Sequence, residues 1–264
     1  VEPSLWRDVL TVLLGVGTGF LSGTFGVGGA VISTPGIRAL GAPALIAIGT
    51  TLPSIFPSAV SGTLRYRRED LILWRAVAWT VPTGLAAAVL GALLSEAVPG
   101  DGHLLQLATA GLLGFSAWRM SRGSRAGVSE TEEERGGGGA GTDTPGRFVG
   151  VGTVAGMLSG LLGIGGGVVL VPGFTQLTGM PVKAAIATSL VCVGLFSIPG
   201  TITHALLGHI DWRFALLLTI GVVPGARLGA AATIASDDRR VRLVVAVFLA
   251  VTAVVYAVGE ILAL

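Results

Sequence analysis

One cysteine, Cys192, stands in the whole chain, so neither an intrachain disulfide nor a thiolate metal site can be assembled from it. It falls within an apolar stretch and reads as a small packed residue. Charge is nearly as scarce: only 12% of the residues are Asp, Glu, Lys or Arg, against about a quarter in an ordinary soluble domain. No Asp or Glu falls deep in a long apolar stretch, Glu96 and Glu260 lying near stretch ends, and a carboxylate relay for protons is therefore not visible. There is also no His, Cys, Asp and Glu cluster with metal-ligand spacing, no carboxylate pair, and no nucleophile sharing a face with a base. The chain is accordingly read as a non-enzyme, with no metal and no cofactor expected. Its small positive balance, +2 with an isoelectric point near 9.2, comes mostly from arginines beside the apolar stretches. Without a basic patch carrying interleaved aromatics, nucleic acid is not an expected partner.

What the chain has instead is oil and glycine. It is 52% hydrophobic, with a mean hydropathy of +0.81. Apolar runs of roughly 20 residues, enough at 1.5 Å per residue to cross about 30 Å of hydrocarbon, recur along it. Spans are expected at Pro43 to Leu64, Leu71 to Leu94, Leu104 to Trp118, Val182 to Leu207, Trp212 to Ala235 and Val241 to Ala263. This is an all-α polytopic membrane protein whose surroundings are a lipid bilayer. Trp6, Trp74, Trp118 and Trp212 fall at predicted span ends and read as interface anchors. The 42 glycines suit helices that approach closely, because packing within lipid favours small residues. The first apolar run lacks a convincing Ala-x-Ala cleavage site and is kept as part of the mature fold.

Two phrases nearly repeat. Gly15 to Gly36 and Gly152 to Gly173 align without gaps at 11 identities in 22 positions, pairing Ser22 with Ser159, Gly28 with Gly165 and Pro35 with Pro172. Downstream, IAIGTTL sits opposite AAIATSL, SGT opposite PGT, and Pro82 opposite Pro224. The expected organisation is a first membrane repeat at 1–120, a polar linker at 121–147 and a second membrane repeat at 148–264. The linker, RMSRGSRAGVSETEEERGGGGAGTDTPGR and its neighbours, is too charged and Gly-rich to bury apolar surface and reads as a flexible tether. Each repeat would hold one Gly-broken or re-entrant segment followed by three spans. If the broken segment crosses once, the halves are parallel and the loop Lys and Arg, leaving out Arg227, divide 11 to 5; if it is a re-entrant hairpin or two short crossings, the halves are inverted and they divide 13 to 3. The positive-inside rule favours inversion, with both termini outside and the linker in the cytoplasm.

Backbone at the depth of hydrocarbon survives unpaired only where protein or a water-lined cavity receives it. In GVGGAVISTP and GIGGGVVLVP the glycines allow tight turning and close approach to the main chain. The following helix starts either just after the glycines or at the proline. Either start leaves free amides and the positive dipole end inside the protein, which is an anion site made of backbone. Two such ends would meet near the midplane, as in transporters with internal repeats. Gly28, Gly29, Ala30, Gly165, Gly166 and Gly167 are the candidates for this cradle. GIGGGV lacks the third glycine of a dinucleotide fingerprint and no G-K-[ST] follows. The competing reading is structural, with the glycines serving only to pack a tight helix hairpin.

The duplicated Gly-rich phrase ending in proline, followed by PVKAAIATSL and then GHIDWRFALLLTIGVVPGARLGA, resembles the TauE/SafE sulfite exporter family over residues 9–263 outside the linker. The resemblance implies a multi-pass protein of the prokaryotic inner membrane that moves small sulfur-containing anions such as sulfite, sulfoacetate or related organosulfonates. The first copy departs from the second in carrying Ala30 opposite Gly167 and GTTL opposite ATSL.

Several side chains are candidates to join the cradle. Arg227 is the only basic residue well inside a span, and its planar fork suits a sulfonate or sulfite oxygen pair; otherwise it snorkels or caps a helix end. Thr50 and Thr51, matched by Thr188 and Ser189, could donate hydroxyls to the same anion or bond back to the preceding helical turn. His204 and His209 offer proton transfer, although an interfacial location is the simpler account. The reading that results is a transporter of a small anionic substrate. Permeation of another small anion or neutral solute, and a non-transporting assembly factor, are the alternatives. A homodimer is compatible with all of them.

Overall fold

The structure of the protein is a computed structural model that describes residues 5–95, 145–162 and 166–261, with isolated positions between 111 and 118. Among the described residues there are nine α-helices and no strand. They are α1 (Leu5–Phe25), α2 (Ala30–Ala39), α3 (Ala44–Arg67), α4 (Trp74–Ser95), α5 (Pro145–Leu162), α6 (Gly167–Leu177), α7 (Val182–Leu206), α8 (Trp212–Ala235) and α9 (Asp238–Ile261). Three of them, α1, α7 and α8, are long and apolar enough to cross a membrane by length and composition. The expected span at Leu104 to Trp118 and most of the linker lie outside the described residues. Helix α5 begins at Pro145, three residues inside the expected linker, with proline in the first turn, where its missing N–H costs nothing.

Local chemistry sets the helix starts. Pro43 and Pro181 are extended, with ψ of 151° and 143°, and their carbonyls accept from the amides of Ala47 and Ala185 at 2.8 and 2.9 Å. At α8 the Asp211 carboxylate accepts from Arg213 N and Phe214 N at 3.1 and 3.3 Å, a side-chain N-cap.

Glycine then sets how closely the helices lie. Gly15, Gly19 and Gly23 of α1 face α8, where an added methyl would sit 2.7 Å from Leu218 O, 2.7 Å from Val222 Cα and 2.9 Å from Ala230 N respectively. Gly221, Gly225 and Gly229 of α8 answer them, facing the backbones of Val12, Val16 and Phe20. Both helices thus present a small residue every fourth position, and their main chains touch. The register rises in step, so α1 and α8 run parallel. Helices α4 and α5 pair the same way, Gly152 against Thr80 and Gly156 against Gly84.

The remaining directions follow from the same contacts. Gly62 lies beside Leu190, Ala59 beside Gly194 and Leu52 beside Gly200, so α3 and α7 cross antiparallel. Helix α3 runs with α8, Gly49 facing His209 and Ser61 Oγ donating to Val223 O at 2.7 Å. Helix α7 runs with α4, Leu73 N donating to Thr188 Oγ1 at 3.1 Å and Gly84 facing Phe196. Helices α1, α3 and α8 therefore point one way and α4, α5 and α7 the other. The two short helices double back: Gly29 lies beside Thr18 and Gly36 beside Leu14, so α2 returns along α1. Gly166 beside Ala155 and Gly173 beside Val151 return α6 along α5 in the same manner.

Outward faces stay apolar. Leu5, Leu13, Leu216, Ile220, Leu228, Val254 and Val255 are all at least 59% exposed, a surface suited to lipid rather than water.

Since backbone atoms cannot retreat from an added methyl, Gly19→Ala is expected to destabilise the protein by about 1–3 kcal/mol through overpacking. Gly17, with nothing within 4 Å of the added carbon, is the internal control. Gly17→Ala should melt with the parent or slightly above it, helix propensity favouring alanine by about 1 kcal/mol. Thermal melts in detergent distinguish the two; equal shifts would contradict the seam.

Candidate functional site

Helix α1 stops at Phe25 because the chain turns through left-handed backbone, with φ of +69° at Gly26, +80° at Gly28 and +82° at Gly29. Gly29 is the N-cap of α2, and Gly166, with φ of +64°, is the N-cap of α6. An L side chain at either position would be strained. The Gly29 carbonyl accepts from the amides of Ile32 and Ser33 at 3.0 and 3.1 Å, and the Gly166 carbonyl from those of Val169 and Leu170 at 3.1 and 3.2 Å. No side chain caps either helix. Among the described residues, the first-turn amides of Ala30, Val31, Gly167 and Val168 have no acceptor. Those amides carry the partial positive charge of a helix N-terminus. Of the two helix starts weighed from sequence, the structure takes the one just after the glycines: Pro35 and Pro172 fall inside α2 and α6. Gly165 lies outside the described residues.

The two turns touch. A methyl on Gly167 would lie 2.7 Å from both the Cα and the carbonyl oxygen of Val27, and 2.8 Å from Val193 Cγ2. One on Gly28 would press on the Val193 side chain and lie 3.3 Å from Ile55 Cγ2. Ile55 and Val193 stand at matched positions of the duplication, each at mid-length of its helix, α3 or α7. Residues Gly26 to Ala30 and Gly166 to Val168 are all buried. The close approach that Gly28 and Gly167 permit is taken here by protein: the other turn on one side, and the centres of the crossed helices on the other.

The four candidate hydroxyls are also engaged. Thr50 Oγ1 accepts from Asp211 N at 2.9 Å, and Thr188 Oγ1 accepts from Leu73 N at 3.1 Å. The sequence sets Thr50 opposite Thr188 and Leu73 opposite Asp211, so bonds between like positions are made twice, each time between the chain before residue 96 and the chain after residue 144. Ser189 Oγ donates to Gly26 O at 2.6 Å, joining α7 to the first turn. Only Thr51 bonds back to its own helix, to Ile48 O at 3.0 Å, while also meeting Thr34 Oγ1 at 3.2 Å. In this state the hydroxyls join protein to protein. The reciprocal pair had a sequence signal that the motif reading passed over, Ile-Leu-Trp-Arg at 72–75 against Ile-Asp-Trp-Arg at 210–213.

Arg227 is not brought to the turns. The face of α8 carrying Gly225 and Gly229 is buried against α1, and a residue two positions from each points the opposite way. Arg227 is exposed and lines a separate pocket with Ser61, Leu64, Arg65 and Arg68. His204 and His209 lie together at the far end of α7, ring centroids 5.5 Å apart, also away from the turns. Among the described residues no group of three or more His, Cys, Asp or Glu could hold a metal ion.

Comparison with known proteins finds that residues 11–256 match the family model described as sulfite exporter TauE/SafE. The chain is 27% identical over 245 residues to the probable membrane transporter protein YunE of Bacillus subtilis, covering 84% of this chain and 87% of that protein. It is 29% identical to a probable membrane transporter protein of Xylella fastidiosa, with 83% of each chain covered. A probable membrane transporter protein of Methanocaldococcus jannaschii, MJ0441, is 26% identical over 83% of this chain and 84% of its own. No solved structure matches the chain.

Removing the acceptor from Thr50 or Thr188 breaks a part-buried hydrogen bond, worth about 0.5–1.5 kcal/mol. Thr50→Val and Thr188→Val should therefore lower the melting temperature to a similar degree. Thr153, exposed and bonded only to Val149 O, provides the comparison, and Thr153→Val should leave the melt unchanged.

Proposed function

The chain belongs to the sulfite exporter TauE/SafE family, and we propose that it is a membrane transporter carrying a small sulfur oxyanion or organosulfonate, such as sulfite or sulfoacetate. The observation that carries this reading is the packing of the N-terminus of α6 against the turn that leads into α2, at mid-length of the crossed helices α3 and α7, with the first-turn amides of both short helices finding no acceptor among the described residues. Aligned amides of this kind hold anions without any charged side chain. A substrate site made from discontinuous helices at a repeat interface is a recurring transporter solution. The proposed cradle consists of the Gly28–Gly29–Ala30 turn and its counterpart Gly165–Gly166–Gly167. Thr50, Thr51, Thr188 and Ser189 hold its walls, and Arg227 has no part in it. The described state is closed around the amides, and passage requires the Val27 and Gly167 contact to part.

The two sequence copies are proposed to be inverted repeats. What supports this is the direction of matched helices, α1 against α5, α3 against α7 and α4 against α8, which run opposite ways. Charge supports the orientation. Arg65, Arg67 and Arg68 end α3, Lys183 begins α7 and binds Asp238 at 3.2 Å, and Arg239, Arg240 and Arg242 begin α9. By the positive-inside rule this end faces the cytoplasm of a prokaryotic cell, with the chain in the inner membrane. Trp6 and Trp212 then mark one interface and Trp74 the other, each more than half exposed at a helix start.

The filled faces of Gly28 and Gly167 favour one other reading, in which the turns serve packing alone in a membrane assembly factor that moves nothing.

Melting of the purified protein separates the two readings, using sulfite, thiosulfate, sulfate, sulfoacetate and taurine in turn. A ligand at 100 times its Kd stabilises the native state by about 2.7 kcal/mol. At least one sulfur anion should raise the melting temperature saturably, and the response should survive Arg227→Gln. The same anion should enter proteoliposomes carrying the protein. Silence from every anion in both assays leaves packing as the role of the turns.

A further inference from the structure

The pocket that contains Arg227 has a composition the proposed transport site does not use. It measures about 140 Å³ and is lined by Ser61, Leu64, Arg65, Arg68 and Arg227. Two helices build it: the last turns of α3 supply two guanidiniums and α8 supplies the third. The Ser61 hydroxyl, donating to Val223 O at 2.7 Å, ties the helices together beside it. The charge is unbalanced. Glu69 pairs with Arg65 at 2.7 Å, and among the described residues no carboxylate pairs with Arg68 or Arg227.

The surroundings say what kind of anion fits. Immediately beside the pocket, Leu64 (56%), Leu228 (59%) and Val223 (38%) are exposed, part of the apolar outer face of α3 and α8. In a membrane protein that face meets acyl chains. A soluble anion would have to reach the pocket past hydrocarbon, whereas a lipid headgroup stands there already. An arginine facing lipid is expensive unless its guanidinium finds an anion or the interface. Phosphate oxygens match the planar fork in two parallel hydrogen bonds. Basic pockets between membrane helices on the positive side suit anionic headgroups.

We propose that Arg65, Arg68 and Arg227 form a binding site for the phosphate of an anionic phospholipid, whose acyl chains lie over Leu64, Val223 and Leu228. The bound lipid bridges α3 and α8, and with them the two sequence copies. The site goes beyond the transport reading and requires only that the chain lie in a bilayer.

The test uses the full chain in nanodiscs of phosphatidylcholine alone or of phosphatidylcholine with phosphatidylglycerol, read by thermal melting and by native mass spectrometry after gentle delipidation. The wild type should melt higher in the anionic discs and keep phosphatidylglycerol. Arg68→Gln with Arg227→Gln should remove the difference, with lipid retention at least about tenfold lower, as expected for lost charge-assisted bonds. Arg67→Gln, an exposed neighbour that does not line the pocket, should behave as wild type. Should the double variant fail to fold, Arg68→Gln alone, at the exposed end of α3, must still reduce retention. The proposal is overturned if the wild type does not discriminate between the discs, or if the pocket variants keep the difference. Millimolar inorganic phosphate reproducing the stabilisation in phosphatidylcholine discs would also overturn it, assigning the pocket to a soluble anion.

Discussion

Two short helices, α2 and α6, each doubled back along the helix before it, are the constraint on which the rest of the molecule depends. Unpaired main chain in the bilayer interior is tolerated only inside protein. The turn at Gly26–Gly29 and the N-terminus of α6 satisfy that condition by enclosing each other, Gly167 against Val27, between Ile55 of α3 and Val193 of α7. The tight seams around them follow. Helices α1 and α8 meet through six glycines and α4 and α5 through Gly84, Gly152 and Gly156, because a looser bundle would leave the turns open to lipid.

Each of the most closely packed pairs takes one helix from before residue 96 and one from after residue 144. The Thr50 to Asp211 and Thr188 to Leu73 bonds repeat this exchange at opposite ends of the bundle. The Asp8 to Arg213 ion pair, at 2.5 Å, ties the starts of α1 and α8. Tyr66, fully buried, donates from the end of α3 to Gly23 O at 2.6 Å.

Much of the architecture was legible from residue patterns. Apolar runs placed the helices α3, α4, α7, α8 and α9 to within a few residues, and of these α7 and α8 are long and apolar enough to cross a membrane. Glycine clusters next to a duplicated proline marked where α1 ends and α2 and α6 begin. Side-chain destinations were not legible, for definable reasons. Arg227 was expected at the turns because it is deep in a span, but depth says nothing about which face a residue occupies; the Gly221, Gly225 and Gly229 stripe, which does, points away from it. Thr50 and Thr188 were expected to meet a ligand or their own helix. Their partners are backbone amides of Asp211 and Leu73, and a backbone donor has no residue signature. The proline at Pro35 could have started a helix, and α2 instead begins five residues earlier, at the first position where left-handed glycine backbone ends.

The central claim is that the two sets of amides act as one site. Isothermal titration of the purified protein with whichever of sulfite, thiosulfate, sulfate, sulfoacetate and taurine raises its melting temperature measures this most directly. The account predicts saturable binding of one anion per chain, because the N-terminus of α6 lies against the turn that leads into α2. Two independent anions per chain, or none, would contradict it.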